Sequence, residues 1–301
     1  MLANGCAYAP AGLAAPLAPG QFLFHPAFAR CYMSTPIVVL TQGPTASPAA
    51  EAYAALLAKT IAVPMRLLRV APVAAAPTTP NGTQPAGHLP TDTATSSLQS
   101  ETIASQKIAA ALAEQDALLV VMPRPIGATP PLGWLATTVW ALLQTVRPPL
   151  LLVPGGLPVQ ALPLNIALVA DGEPFTLMHG QRTMHTLLLT LPTQITVLHA
   201  PVPLSNTSLA DALQTVLACG LAARYLTTAT TLAVPAPSDV AGILAGARQM
   251  GADLLVLIIR QARLAEAGFI AGPMAELLQQ SPVPVLLLLA ADAPGTSSVV
   301  Y

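Results

Sequence analysis

The chain reads as an α/β protein made of two tandem copies of a parallel strand–helix unit, and three observations predict this. Short, continuous apolar runs alternate with helix-length amphipathic stretches along most of its 301 residues. Those runs are too apolar for strands wetted on one face, so they are read as strands buried on both faces, the condition of a parallel sheet. Their order also repeats once. The best-formed unit is 251–290: the run Leu254 to Ile259, a polar loop from Arg260 to Ala267, a short helix from Met274 to Gln280, and a second run, Val283 to Leu289. Pro282 and Pro284 end that helix and admit the strand. Strand, helix and strand with both strands buried make a parallel crossover unit.

Taken in order, residues 1–33 are rich in Ala, Pro and Gly and carry no charge before Arg30. Pro10, Pro16 and Pro19 break the apolar middle that a secretory signal needs. The segment is therefore read as a disordered extension, with Met33 as a natural start for the folded part. The first copy is assigned to 34–153. It contains a strand Ile37 to Thr41, a helix Pro48 to Ala62 with Tyr53, Leu56 and Leu57 facing inward, and a strand Met65 to Val70. Residues 73–100 are polar and rich in Pro and Thr, a lid or a disordered loop. A helix Glu101 to Glu114, a strand Ala117 to Met122, a loop Pro123 to Pro131, a helix Gly133 to Val146 and a strand Leu150 to Val153 complete the copy.

Residues 154–163 are a linker, and the pattern restarts over 164–290. Ile166 to Ala170 is a strand ending at Asp171-Gly172, and Thr176 to Leu191 a helix. Gln194 to His199 is a strand, Leu209 to Leu221 a helix and Arg224 to Thr227 a short strand. Ser238 opens the helix Asp239 to Met250, and 291–301 is a polar tail. Four segments match in one order. IVVLTQGP at 37–44 answers IALVADGE at 166–173; LLRVAPV at 67–73 answers TVLHAPV at 196–202; DALLVV at 116–121 answers DLLVLI at 253–258; RPPLLLV at 147–153 answers VPVLLLL at 283–289. The first copy lacks the third strand and its preceding helix, and 73–100 stands in their place.

Composition narrows the function classes. Net charge is −1, which gives no electrostatic case for nucleic acid. Charged residues are 8% of the chain, against about 25% for an ordinary soluble domain. Two readings compete: a surface covered by a partner, or an ordinary surface where Ala, Thr, Gln and Pro replace charge. No run reaches the roughly 18 apolar residues of a membrane span; Arg147, Pro148 and Pro149 interrupt the nearest candidate. Cys6, Cys31 and Cys219 form neither a metal pattern nor a disulfide framework, and Cys219 reads as a small core residue.

A strand ending in Asp-Gly, a second ending in His/Val-Ala-Pro, then GADLLV, GPMAELL and SPVPVLLLL resembles the universal stress protein family. The resemblance covers residues 34–290 as two copies, and the second is the better match. It implies doubly wound, Rossmann-like or flavodoxin-like parallel sheets of strand order 3-2-1-4-5, packed about a pseudo-twofold. Many members bind ATP through G-x2-G-x9-G-[ST] after the fourth strand. Glycines there let the backbone approach the phosphates, and N–H groups at a helix start neutralise them. With the last glycine at Gly272, Ile259 and Ala262 replace the first two and Pro273 the Ser/Thr. In the first copy the corresponding positions are Arg124, Gly127 and Thr137. The acidic residue that can contact the adenosine is kept as Asp171 and replaced by Gln42.

The nucleotide-binding candidates are thus Asp171, Gly172, Arg260, Gly268 and Gly272, with Gly43, Arg124 and Gly127 in the first copy. Arg124 and Arg260 each follow a fourth strand and are read either as phosphate clamps or as solvated loop residues. Asp171-Gly172-Glu173 either holds a ribose or metal or is a strand-to-helix turn. His179 and His185, six apart on a helix, do not suit one metal; His199 reads as a polar core residue, and Trp134 and Trp140 as core anchors. The leading expectation is a non-catalytic, cytoplasmic stress-response module that takes a protein partner or self-associates, with no cofactor, metal or nucleic acid. The alternative is a protein binding ATP with Mg through the second copy, hydrolysing it slowly at most. A membrane-associated regulatory domain is a third reading.

Overall fold

A computed structural model describes residues 35–42, 47–70, 105–124, 132–158, 161–181, 188, 191, 194–200, 206–221, 230–233, 240–264 and 270–292. The first half supplies β1 (Ile37–Gln42), α1 (Pro48–Ile61), β2 (Met65–Val70), α2 (105–113), β3 (Leu119–Arg124), α3 (Leu132–Thr145) and β4 (Leu150–Pro154). The second supplies β5 (Asn165–Ala170), β6 (Phe175–Leu177), a 3-10 turn (His179–Gln181), β7 (Gln194–His199), α4 (Leu209–Ala218) and β8 (Thr230–Ala233). It continues with α5 (Val240–Gln249), β9 (Leu254–Arg260), α6 (Gln261–Leu264), a π turn (Ile270–Met274), α7 (Ala275–Gln280) and β10 (Val285–Asp292).

Local chemistry sets these boundaries. Pro48 occupies the first turn of α1, where an N–H has no helical partner to lose. Glu51 in that turn and Lys59 in the last one complement the helix dipole. Ala62 turns left-handed (φ 54°) and closes the helix by donating its N–H to Ala58 O. β3, β4, β9 and β10 are the continuous apolar runs, and nearly all their side chains are buried.

The strands form one sheet of order β2-β1-β3-β4-β10-β9-β5-β7-β8. Reading outward from β4 gives first-half order 5-4-1-2; reading outward from β10 gives 5-4-1-2-3, the order the family resemblance implies. Apart from the short β6, neighbours within each half are parallel, as in Ile166↔Leu254 and Ile37↔Leu119. The halves meet where β4 and β10 pair antiparallel, Leu152 opposite Val285 and Leu150 opposite Leu287. The expected pair of sheets is therefore one continuous sheet, because each half presents its last apolar strand as an edge and the two edges satisfy one another's backbone groups. Two apolar layers cover the sheet, one through Tyr53, Leu57, Leu188 and Val216, the other through Leu112, Val139, Leu244 and Leu278. Each layer runs across the seam.

Several expectations need correction. The helix expected from Thr176 begins instead as β6, which pairs antiparallel with β10 beyond the end of β4, Leu177 opposite Ala290. Open edge hydrogen-bonding groups outweigh helical periodicity there. The strand beside β7 is Thr230–Ala233, and the run expected in that place, 224–227, lies outside the described residues. Pro123 and Arg124 belong to β3 rather than to a loop. Trp140 is 40% exposed, with its indole N–H donated to Leu264 O, so it is no core anchor. The 1–33 extension, the whole of the 73–100 stretch, most of the tail, Gly43, Gly127, Gly268, His185, Cys6 and Cys31 also lie outside the described residues.

Candidate functional site

Strand order reverses between β5 and β9, so the crevice beyond their C-terminal ends is where a doubly wound sheet takes a ligand. β5 delivers Asp171 and Gly172 there, β9 delivers Arg260, and β10 delivers Asp292. The Arg260 guanidinium grips Asp171 in two places, Nε to Oδ2 at 2.9 Å and Nη2 to Oδ1 at 2.8 Å. Nη1 donates to Asp292 Oδ1 at 3.0 Å and to Pro174 O at 3.0 Å; Nη2 also donates to Glu173 O at 2.7 Å. A guanidinium has five N–H donors. All five are engaged by the protein.

The turn itself is tightly built. Glu173 N–H donates to Asp171 Oδ1 at 3.0 Å, the local bond that makes Asp a turn former. Gly172 sits at φ +86°, and a Cβ there would lie 2.6 Å from the Thr207 Cβ. Thr207 is held in place because Ser208 and Asp211 form a reciprocal capping box at the start of α4. The Thr207 hydroxyl donates to Asp171 O at 2.6 Å and lies 3.4 Å from His199 Nε2. His199 is buried, as its reading as a polar core residue expects.

Electrostatics at this crevice disfavour an anion. One arginine faces two carboxylates, so the trio carries net negative charge when ionised. Burial pulls the Arg260 pKa down, but the hydrogen bonds and charges of Asp171 and Asp292 more than reverse this, and the net shift is upward. The Arg260 side chain is only 12% exposed, and its guanidinium stays charged. Among the described residues no group of three or more His, Cys, Asp or Glu is placed to hold a metal.

Arg124, at the matching end of β3, reaches across the seam instead. Its guanidinium donates to Leu278 O at 3.0 Å and to Gln279 O and Ser281 O, the unpaired carbonyls at the end of α7. Burial lowers its pKa. Arg124 and Arg260 are thus each committed to internal acceptors. Gly272 lies in the π turn before α7, where a Cβ would meet nothing within 4 Å. Pro273 follows it and has no N–H to offer, and α6 and α7 span only four and six residues.

The structure thus brings Asp171, Gly172 and Arg260 together, as a locked turn. Asp292 and Thr207 complete it and were not among the expected site residues. The only trace of Asp292 in the sequence is a lone acid at the end of the last apolar run, and its role depends on the β9–β10 register, Ala290 opposite Arg260. A cavity of about 10 Å³ lies well away from this crevice, between Tyr53, Leu57, Leu119, Leu151, Leu254 and Leu286. It is far below the several hundred Å³ of a ligand pocket.

No protein-family model matches the chain, and no curated protein does. Solved structures do. A universal stress protein from Archaeoglobus fulgidus matches at 14% identity and a TM-score of 0.47, covering 85% of this chain and 97% of its own. A functionally unknown protein from Pseudomonas aeruginosa PAO1 matches at 16% identity and a TM-score of 0.40, covering 91% of this chain and 90% of its own. These are likenesses to known proteins at low identity.

Proposed function

We propose that the chain is a non-catalytic tandem module of universal-stress-protein type, serving a stress response in the cytoplasm by binding a protein partner or by self-association. One observation carries this reading: every guanidinium donor of Arg260, the cation at the sheet's switch point, is spent on Asp171, Asp292 and two carbonyls. A phosphate entering there meets net negative charge and no available donor from that side chain. No metal set accompanies the crevice among the described residues. No helix among the described residues is long and apolar enough to cross a membrane.

The test is the melting temperature with and without millimolar Mg-ATP. A ligand at 100 times its dissociation constant adds about 2.7 kcal/mol, a rise of several degrees. An unchanged melting temperature is expected. A rise that the Asp171→Ala variant loses would establish the nucleotide-binding alternative and overturn the proposal.

A further inference from the structure

We propose that the outer edge of β2 is a docking site for an extended, acidic segment of a partner protein, which adds to the sheet as a further strand. In the second half, β7 holds the position of β2 and is not an edge, since β8 pairs parallel to it from Thr196↔Thr230 to His199↔Ala233. Among the described residues β2 pairs with β1 alone. Ile37 N–H donates to Pro64 O at 2.9 Å. Alternate residues of a parallel strand face the same neighbour, so Arg66 and Leu68 turn their backbone groups toward β1, while Met65, Leu67 and Arg69 turn N–H and C=O outward. The side chains at this edge are also uncovered: Met65 is 36% and Leu67 45% exposed.

Charge selects the occupant. Arg66 and Arg69 are exposed, one on each face of the strand, and neither forms an ion pair among the described residues. A segment with carboxylates facing both arginines and apolar side chains against Met65 and Leu67 gains ladder bonds and charge pairing together. A second copy of β2 would instead gather four arginines and no carboxylate on one seam, which like-charge repulsion opposes.

The inference rests on the reading of the chain as an interaction module, but its test is independent of ATP. The probe is a fluorescein-labelled decapeptide with Glu at every third position and Val between, which places carboxylates on both faces of an extended strand as Arg66 and Arg69 require; it is titrated by anisotropy against the full chain, and its partner probe has Lys for every Glu. Leu67→Pro removes an outward N–H while sparing the β1 ladder. Saturable binding of the acidic probe is expected, weakened at least tenfold by Leu67→Pro. The charge-reversed variant R66E/R69E should lose the acidic probe and take up the basic one. If Leu67→Pro fails to fold by circular dichroism, the charge-reversed variant decides alone. No saturable binding to the wild type, binding indifferent to these changes, or a concentration-dependent dimer abolished by Leu67→Pro would overturn the proposal. None of these results bears on the nucleotide test.

Discussion

Replacing Arg260 by Ala separates a structural bracket from a ligand-gripping side chain. The substitution deletes three charge-assisted hydrogen bonds, two to Asp171 and one to Asp292, and two bonds to the carbonyls of Glu173 and Pro174. The carbonyl losses are taken as small because water can reach that rim of the crevice. The charged part is larger. Two carboxylates, 22% and 33% exposed, are left facing one another with no cation between them. Hydrogen bonds to charged groups contribute about 1.5–3 kcal/mol each, and breaking a fully buried ion pair costs about 3–5 kcal/mol. Counting the bidentate grip as one pair and discounting for the partial exposure leaves about 2–3 kcal/mol of destabilisation. With a urea m-value of about 3 kcal/mol/M, the unfolding midpoint falls by about 0.7–1 M. Urea unfolding followed by circular dichroism reads this directly. Arg260→Lys should recover little of the loss, because three donors on a point charge cannot span both acids and both carbonyls. A midpoint within 0.2 M of the wild type would refute the reasoning, for it would mean that the acids need no cation.

Three further outcomes follow from single features. Gly172→Ala forces a side chain into positive φ and onto Thr207, and a loss of about 2–4 kcal/mol is expected in a thermal melt; an unchanged melt would show that the turn opens freely. The Tyr53 hydroxyl is buried with no partner, so Tyr53→Phe should be neutral or stabilising by about 1 kcal/mol, and a clear destabilisation would contradict the orphan hydroxyl. Burial pushes the Cys219 thiol up to about 11, so in a Cys6→Ser/Cys31→Ser background alkylation should stay slow at pH 8 and quicken toward pH 11. Because the thiol binds its proton more tightly folded than unfolded, the same group should cost stability as pH rises above about 9. Fast labelling at pH 8 in the folded state would be the contrary result.

The strands were legible because a residue run buried on both faces has nowhere to go but a sheet interior. Leu150–Pro154 and Leu254–Arg260 form within one residue of the runs their apolar patterns mark, and most of their side chains are buried. Phe175–Leu177 was not legible, since its three residues become a strand only because β4 ends early and leaves the top of β10 unpaired. Trp134 and Trp140 are six positions apart and need not share a helix face, and Trp140 emerges at the surface. At the crevice, Asp171 and Arg260 were singled out for opposite-charge chemistry with a ligand; they meet each other instead.

Alternating buried runs and amphipathic helices determined parallel α/β halves, and the fourfold match determined that there are two of them. These are local properties: periodicity, proline placement and apolar content are carried by neighbouring residues. Only the tertiary structure decided that the halves share one sheet through β4 and β10, and that Arg260 answers to Asp171 and Asp292. Both outcomes bring together groups 32 to 137 positions apart along the chain, and which partner wins at such separations depends on strand register and on competition among all the donors and acceptors that folding places within reach.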